Sequence, residues 1–291
     1  MCLSTVLLAS GLTATGIAQL DATPNGGAMS ETVPDTSHYT FYNPTPRQFR
    51  RPLSADRPDA TESPYTVDAG AVQTELSFVE YTFDDDGRSD VHNIAVAPTN
   101  LKLGLTNDTD IQFIWTPYVR ESVDDGEDNA GVGDLQTRLK INLWGNDAGS
   151  TALALLPYLT FPVGESGLGA EDLEGGIVVP FAVDLAAVGL AGFGLGTQVE
   201  AAFERSADDT GYRARVSHTV AIGYEVNERA GVYGEYIGDA AFDGGGYSPT
   251  LSTGATYALT PNALLDAGLR VGLRDENTDD LVVFAGLTVR F

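Results

Sequence analysis

Cations spaced two or four residues apart, with apolar or small side chains between them, are the groups best placed to do chemistry in this chain. Arg138 and Lys140 flank Leu139, Arg213 and Arg215 flank Ala214, and Arg270 and Arg274 bracket Val271 and Leu273. Lys102 and Arg290 stand singly, and Asp184, Glu200, Glu225 and Asp266 fall at comparable positions of other apolar runs. Two outcomes follow from such a set. Cations left unpaired in a narrow, poorly hydrated space raise the local potential and draw small anions such as aromatic carboxylates. Cations paired with those acids cancel the field and brace the space instead.

Enzyme chemistry finds little support. A nucleophile needs its base within reach, yet the residue two beyond His218 is Val220 and the residue two beyond His92 is Ile94, with no serine at either. Asp90-Val91-His92 has the local form of an acid–histidine pair at a rim, at a spacing common by accident. Three histidines far apart and one cysteine, Cys2, offer no metal site and no intramolecular disulfide. No catalytic residue, metal or cofactor is expected.

The elements that must position these cations are strands. Ile111, Phe113 and Trp115 alternate with Gln112 and Thr116; Leu135, Thr137, Leu139, Ile141 and Leu143 alternate with Gln136, Arg138, Lys140 and Asn142; Leu265 to Leu273 alternate with Asp266, Gly268 and Arg270. A period of two places one set on each face of a sheet. The reading gives strands at 71–83, 92–105, 110–120, 132–145, 150–163, 176–185, 191–204, 212–226, 230–240, 248–259, 263–274 and 281–291. In the first of them Leu76 and Phe78 oppose Val79, Tyr81 and Phe83 in parity, which either a bulge or a half-plugged first strand would reconcile.

Connections alternate between short turns (106–109, 146–149, 186–190, 227–229, 260–262) and longer acidic loops (84–91, 121–131, 164–175, 205–211, 241–247, 275–280). The loops and their rims hold 22 of the 41 acidic residues. Aromatic residues gather near strand ends, Phe83, Tyr118 and Phe161 toward the loops, and Trp144, Phe193 and Tyr224 toward the turns. This sorting predicts an all-β, transmembrane antiparallel up-and-down barrel of about 12 strands, with short turns and both termini on the periplasmic side. No stretch reaches the roughly 20 apolar residues of a spanning helix. A lipid-facing Arg at mid-membrane costs roughly 2–4 kcal/mol, so the charged parity must face the lumen. Lys102, Arg138, Lys140, Arg213, Arg215, Arg270, Arg274 and Arg290, with Glu200, Glu225 and Asp266, are therefore the expected lumen-lining residues.

Ahead of the barrel, the apolar run Leu3–Ala18 ends in Gly16-Ile17-Ala18 and predicts a cleaved signal peptide over 1–18. Residues 19–66 carry seven prolines (Pro24, Pro34, Pro44, Pro46, Pro52, Pro58 and Pro64) and no periodicity. They predict an extended, loosely ordered periplasmic segment, able to occlude the lumen, before a barrel over 67–291. The formal net charge of -25 argues against nucleic acid as a partner. Lipid and lipopolysaccharide are the expected surroundings, with divalent cations bridging loop carboxylates to its phosphates.

Within 56–76, the residues Asp56, Arg57, Pro58, Asp59, Thr61, Glu62, Ser63 and Pro64, with Thr66, Val67, Gly70, Gln73 and Glu75, resemble the opening motif of a family labelled for the meta-cleavage pathway of phenol degradation and often called transporters. The last strand, ending on Phe291, resembles the C-terminal signature of outer-membrane barrels. The resemblance implies an outer-membrane barrel of a Gram-negative bacterium passing small solutes, anionic or aromatic molecules among them. A non-conducting structural barrel and, further off, a barrel enzyme are the alternatives.

Overall fold

The computed structural model describes residues 35–85, 89–124, 126, 128–205, 211–242, 246–274 and 278–291. The expected leader over 1–18, residues 19–34, and the loop acids Asp86, Asp125, Glu127, Asp208, Asp209, Asp243, Asp275 and Glu276 lie outside the described residues.

Fifteen strand segments form one antiparallel sheet: β1 (Val72–Asp85), β2 (Asp90–Val96), β3 (Thr99–Thr106), β4 (Thr109–Trp115), β5 (Tyr118–Val123), β6 (Asn129–Gly131), β7 (Leu135–Trp144), β8 (Thr151–Phe161), β9 (Glu174–Asp184), β10 (Phe193–Arg205), β11 (Tyr212–Asn227), β12 (Ala230–Ala241), β13 (Gly246–Thr260), β14 (Ala263–Gly272) and β15 (Leu281–Arg290). The sheet closes on itself, with β1 paired to β15 from Gln73 opposite Arg290 to Phe83 opposite Leu281. Closure removes the open edges that a membrane cannot tolerate. Three barrel strands are interrupted, β2 running on into β3, β4 into β5 and β6 into β7, so the barrel has twelve strands.

The interruptions have local causes. Pro98 and Pro117 have no N–H to give a ladder, and Ala97 adopts a left-handed φ of 53°. Opposite Ala97 and Pro98, β1 changes register between Ser77 and Val79. Ser77 N donates to Pro98 O at 3.0 Å and Ala97 N to Phe78 O at 3.3 Å, which stitches the two irregularities together. The bulge explains the mixed parity of the first strand. Before it, Gln73, Glu75 and Ser77 point inward; beyond it, Val79, Tyr81 and Phe83 take the outward side, so both apolar sets face out.

Polar residues fill the inner face and apolar ones the outer, the reverse of a water-soluble fold. Phe78, Leu101, Phe113, Leu159, Phe203, Ile222, Leu251, Leu269 and Val283 are among the exposed apolar side chains, whereas Gln73, Glu75, Lys102, Asp110, Gln112, Arg138, Lys140, Glu235 and Asp266 are buried. Such an outward apolar belt fits lipid. Among the described residues, an apolar cluster of fully buried side chains joins Ala154, Leu156 and Val178 inside the barrel.

Short turns gather at one end. The segment from Asp35 to Arg51 covers that end: Thr40 bridges to Thr106, Phe41 N donates to Leu105 O at 2.7 Å, and Thr36 Oγ1 donates to Asn107 Oδ1 at 2.8 Å. Phe291 N closes the same end on Val72 O at 2.8 Å.

Candidate functional site

From Leu53 the chain turns into the barrel, and residues 55–64 are all buried. The segment has no strand or helix of its own, so its main-chain groups need other partners. Pro58 and Pro64 lack a donor; most of the N–H groups between Asp56 and Val67 bond to side chains of the wall or of the segment itself. Asp56 N donates to both oxygens of Glu75 (3.1 and 3.0 Å), Ala60 N to both oxygens of Glu235 (3.0 and 2.9 Å), and Glu62 N to Gln198 Oε1 (2.6 Å). Thr66 N donates to Asn146 Oδ1 (3.1 Å), Val67 N to Asp110 Oδ2 (2.9 Å), and Ser63 N to Asp56 Oδ1 (3.1 Å). Wall amides serve the carbonyls, Asn142 reaching Pro64 O at 2.8 Å and Gln198 reaching Ala60 O at 3.0 Å. The inner face thus replaces a neighbouring strand, which is how a proline-broken segment becomes a plug. The expectation of a loosely ordered segment over 19–66 does not hold for residues 55–66.

The plug's charged side chains meet the expected lumen cations. Lys102 Nζ pairs with Asp56 and Glu75. Lys140 Nζ lies 2.8 Å from Asp56 Oδ1 and 3.6 Å from Glu62 Oε2, and Arg138 Nη1 lies 2.5 Å from Glu62 Oε1. Arg57 runs the other way, from plug to wall, with Nη2 2.7 Å and Nε 3.1 Å from the two oxygens of Asp266 and Nη1 2.5 Å from Ser77 Oγ. This forked contact with a carboxylate suits the planar guanidinium. Thr61 Oγ1 donates to Glu235 Oε1 at 2.7 Å and also meets Thr219. Asp59 is fully buried, and neither of its carboxylate oxygens has a hydrogen-bond partner in the structure.

Glycines make room for this packing. A Cβ on Gly286 would collide with the Arg57 guanidinium and Leu76 O, and one on Gly104 with the Asp68 carbonyl.

The remaining expected residues separate. Arg215 pairs with Glu204 (2.7 Å), Asp239 (2.8 Å) and Glu200 (3.6 Å), while Arg213 lies 3.7 Å from Glu204. Glu200 also accepts from the Tyr158 hydroxyl. Arg270 lies over the Phe284 ring at 4.9 Å, its Nε without a hydrogen-bond partner. Arg274 is exposed toward the loops and donates to Tyr247 O at 3.1 Å. Arg290 sits at the turn end, 3.2 Å from Asp68, and Glu225 lines a cavity at that end. Asp184 caps a short 3-10 turn through Ala186 N at 2.7 Å. The cations therefore do not form one free basic stripe.

Sequence reasoning missed Glu75, Asp110, Gln198 and Glu235 as the plug's acceptors; their inward parity was the available signal. His92 packs between Tyr81 and Phe83, with its Nδ1 2.8 Å from the Tyr81 hydroxyl. Among the described residues no group of three or more His, Cys, Asp or Glu could hold a metal ion.

A closed twelve-stranded barrel with a polar, plug-filled interior and an apolar exterior defines a transmembrane β-barrel. The chain belongs to the family described as "Putative MetA-pathway of phenol degradation", whose model matches residues 55–291, plug included. No curated protein matches it. Among solved structures, an outer membrane channel from Pseudomonas putida F1 matches with a TM-score of 0.61 and 16% identity, over 81% of this chain and 100% of that one. The NanC porin (TM-score 0.48, 8% identity, 75% and 98% covered) and the KdgM porin in complex with disordered oligogalacturonate (0.47, 8%, 76% and 99%) also match. At these identities the likeness is one of fold, and the barrel resembles those of outer membrane proteins.

Proposed function

We propose that the protein is an outer-membrane channel for small solutes, held closed by its own residues 55–69. The observation that carries this reading is the size of what the lumen already holds. A barrel interior that admits an extended peptide with its side chains leaves, once vacated, a polar passage wide enough for small molecules. Twelve strands lie between the side-chain-filled barrels of eight and the open porins of sixteen or more. Membership of the family and the fold shared with an outer membrane channel support the reading.

In this reading the turn end, with Phe291 and the segment from Asp35, faces the periplasm of a Gram-negative cell. The acidic loops face outward, where divalent cations bridge them to lipopolysaccharide phosphates. Solute selectivity belongs to the vacated lumen. Arg138 and Lys140 lose their acids Asp56 and Glu62 when the plug leaves and only then act as a cationic, anion-drawing surface, whereas Lys102 keeps Glu75 on the wall.

Planar-bilayer recording tests this. The intact protein should conduct rarely, and a chain lacking residues 19–66 should conduct steadily with anion preference. Silence of the shortened chain, with its barrel intact, would favour the structural reading, since the plug contacts β1, β3, β4, β7, β10, β12 and β14.

A further inference from the structure

A cavity of about 920 Å³ opens at the turn end, between the segment entering the barrel and the turns joining β11 to β12 and β13 to β14. Its walls include Arg47, Arg50, Arg51, Arg57, Arg229 and Arg290. Six of the chain's 16 Lys and Arg thus meet in one place on a protein of net charge -25. Three are spent on acids: Arg57 on Asp266, Arg51 on Asp68 and Asp147 (3.1 and 3.3 Å), and Arg290 on Asp68. Arg47, Arg50 and Arg229 make no ion pair with an Asp or Glu among the described residues. Arg50 is held by main-chain oxygens, Nη1 at 2.7 Å from Phe291 O and Nε at 3.4 Å from Thr45 O. Arg47 and Arg229 are exposed at the rim. Two acids, Glu225 and Glu228, share the lining.

The rest of the wall mixes apolar Leu53, Pro58 and Leu264 with polar Asn227, Thr256 and Asn262. Guanidinium groups recognise carboxylates through paired N–H donors, and the apolar patch of Leu53, Pro58 and Leu264 favours a hydrophobic body. Concave sites of this volume that combine an apolar patch with converging polar groups suit small molecules. We propose that this cavity is a binding vestibule for a small organic carboxylate with an apolar body, engaged by Arg50 at its wall and by Arg47 and Arg229 at its rim. Binding here does not require the barrel to conduct, so the vestibule and the channel stand or fall separately.

Benzoate titrated calorimetrically into the full protein in a non-ionic detergent tests the site. Benzoate should saturate a single site; acetate, which lacks the body, and benzamide, which lacks the charge, should bind at least tenfold more weakly. Replacing both Arg47→Gln and Arg229→Gln, exposed residues with no ion pair to lose, should weaken benzoate at least fivefold. Arg120→Gln, which breaks an exposed pair with Asp128 elsewhere, should leave its affinity unchanged. Absence of saturable heat, equal affinity for benzamide, or an unaltered double variant would overturn the proposal. So would benzoate binding seen only in a chain lacking residues 19–34, because the occupant would then be the protein's own upstream segment.

Discussion

Lys102 and Lys140 both point at one carboxylate, Asp56, and each has a second acid, Glu75 for the first and Glu62 for the second. Taking one partner from a buried ionic group typically costs about 3–5 kcal/mol, because the charge left behind stays out of water. Asp56→Asn should therefore loosen the plug more than the barrel. Cleavage by Glu-C after Glu62, buried in the native protein, should become much faster while the barrel keeps its folded migration on unheated gels. Unchanged cleavage would show that the plug is held elsewhere. Gly286→Ala probes the same anchor from the wall, since the added methyl meets the Arg57 guanidinium. It should speed Glu-C cleavage too, whereas Gly234→Ala, with open space around its Cβ position, should not. At this scale the sequence marked Arg138, Lys140, Lys102 and Asp266 as inward by parity alone. It could not say that Asp56, Glu62 and Arg57 would neutralise them, because period-two alternation tells which face a residue takes and nothing about what occupies the other side of the lumen.

Among the elements, the strands were legible to within a few residues because lipid on one side and polar groups on the other enforce alternation along every strand. The breaks at Ala97–Pro98 and Thr116–Pro117 were not anticipated, although the prolines were in view; Pro157, Pro180 and Pro249 sit within β8, β9 and β13 without ending them. Context in the ladder, not the residue type, decides which proline interrupts. The plug was the least legible element, for it has no periodicity and borrows its hydrogen bonds from seven or more strands. The connection from β14 to β15 permits a test of a different kind. Burial, with Asp84 beside it, pushes the Asp279 carboxyl up to about 6. A carboxyl whose folded value lies above its unfolded value costs stability at neutral pH, and that cost is relieved as pH falls through about 6. The thermal midpoint in detergent should rise between pH 7.5 and 5, and Asp279→Asn should raise it at pH 7.5 while shrinking that gain. An Asp279→Asn midpoint no higher than wild type at pH 7.5 would refute the assignment.

For the molecule as a whole, the sorting of short turns from long loops sets a direction. Glu171, in the exposed loop between β8 and β9, and Glu228, in the turn between β11 and β12, lie at opposite ends. A cysteine replacing Glu171 should label on intact cells with a membrane-impermeant maleimide, and one replacing Glu228 only after the outer membrane is breached. The opposite pattern would invert the proposed orientation. Loop sorting made the architecture legible. The Arg-lined cavity was not, because Arg47, Arg50 and Arg51 come from one stretch of chain, Arg229 from the turn between β11 and β12 and Arg290 from the end of β15, and only folding brings them together.

The seam where β1 meets β15 also constrains the order of assembly. Gln73 cannot find Arg290 until nearly the whole chain is in place, and contacts between such distant parts of a chain form slowly. The plug lies immediately ahead of β1 and is ringed by strands from β1 to β14, so its segment is in place before the ring shuts. In that order the wall curls around a segment already lodged within it. On this view Asp56, Arg57 and Glu62 act as a mandrel: they recruit Lys102, then Arg138 and Lys140, then Asp266, in the order in which those strands follow one another toward the seam.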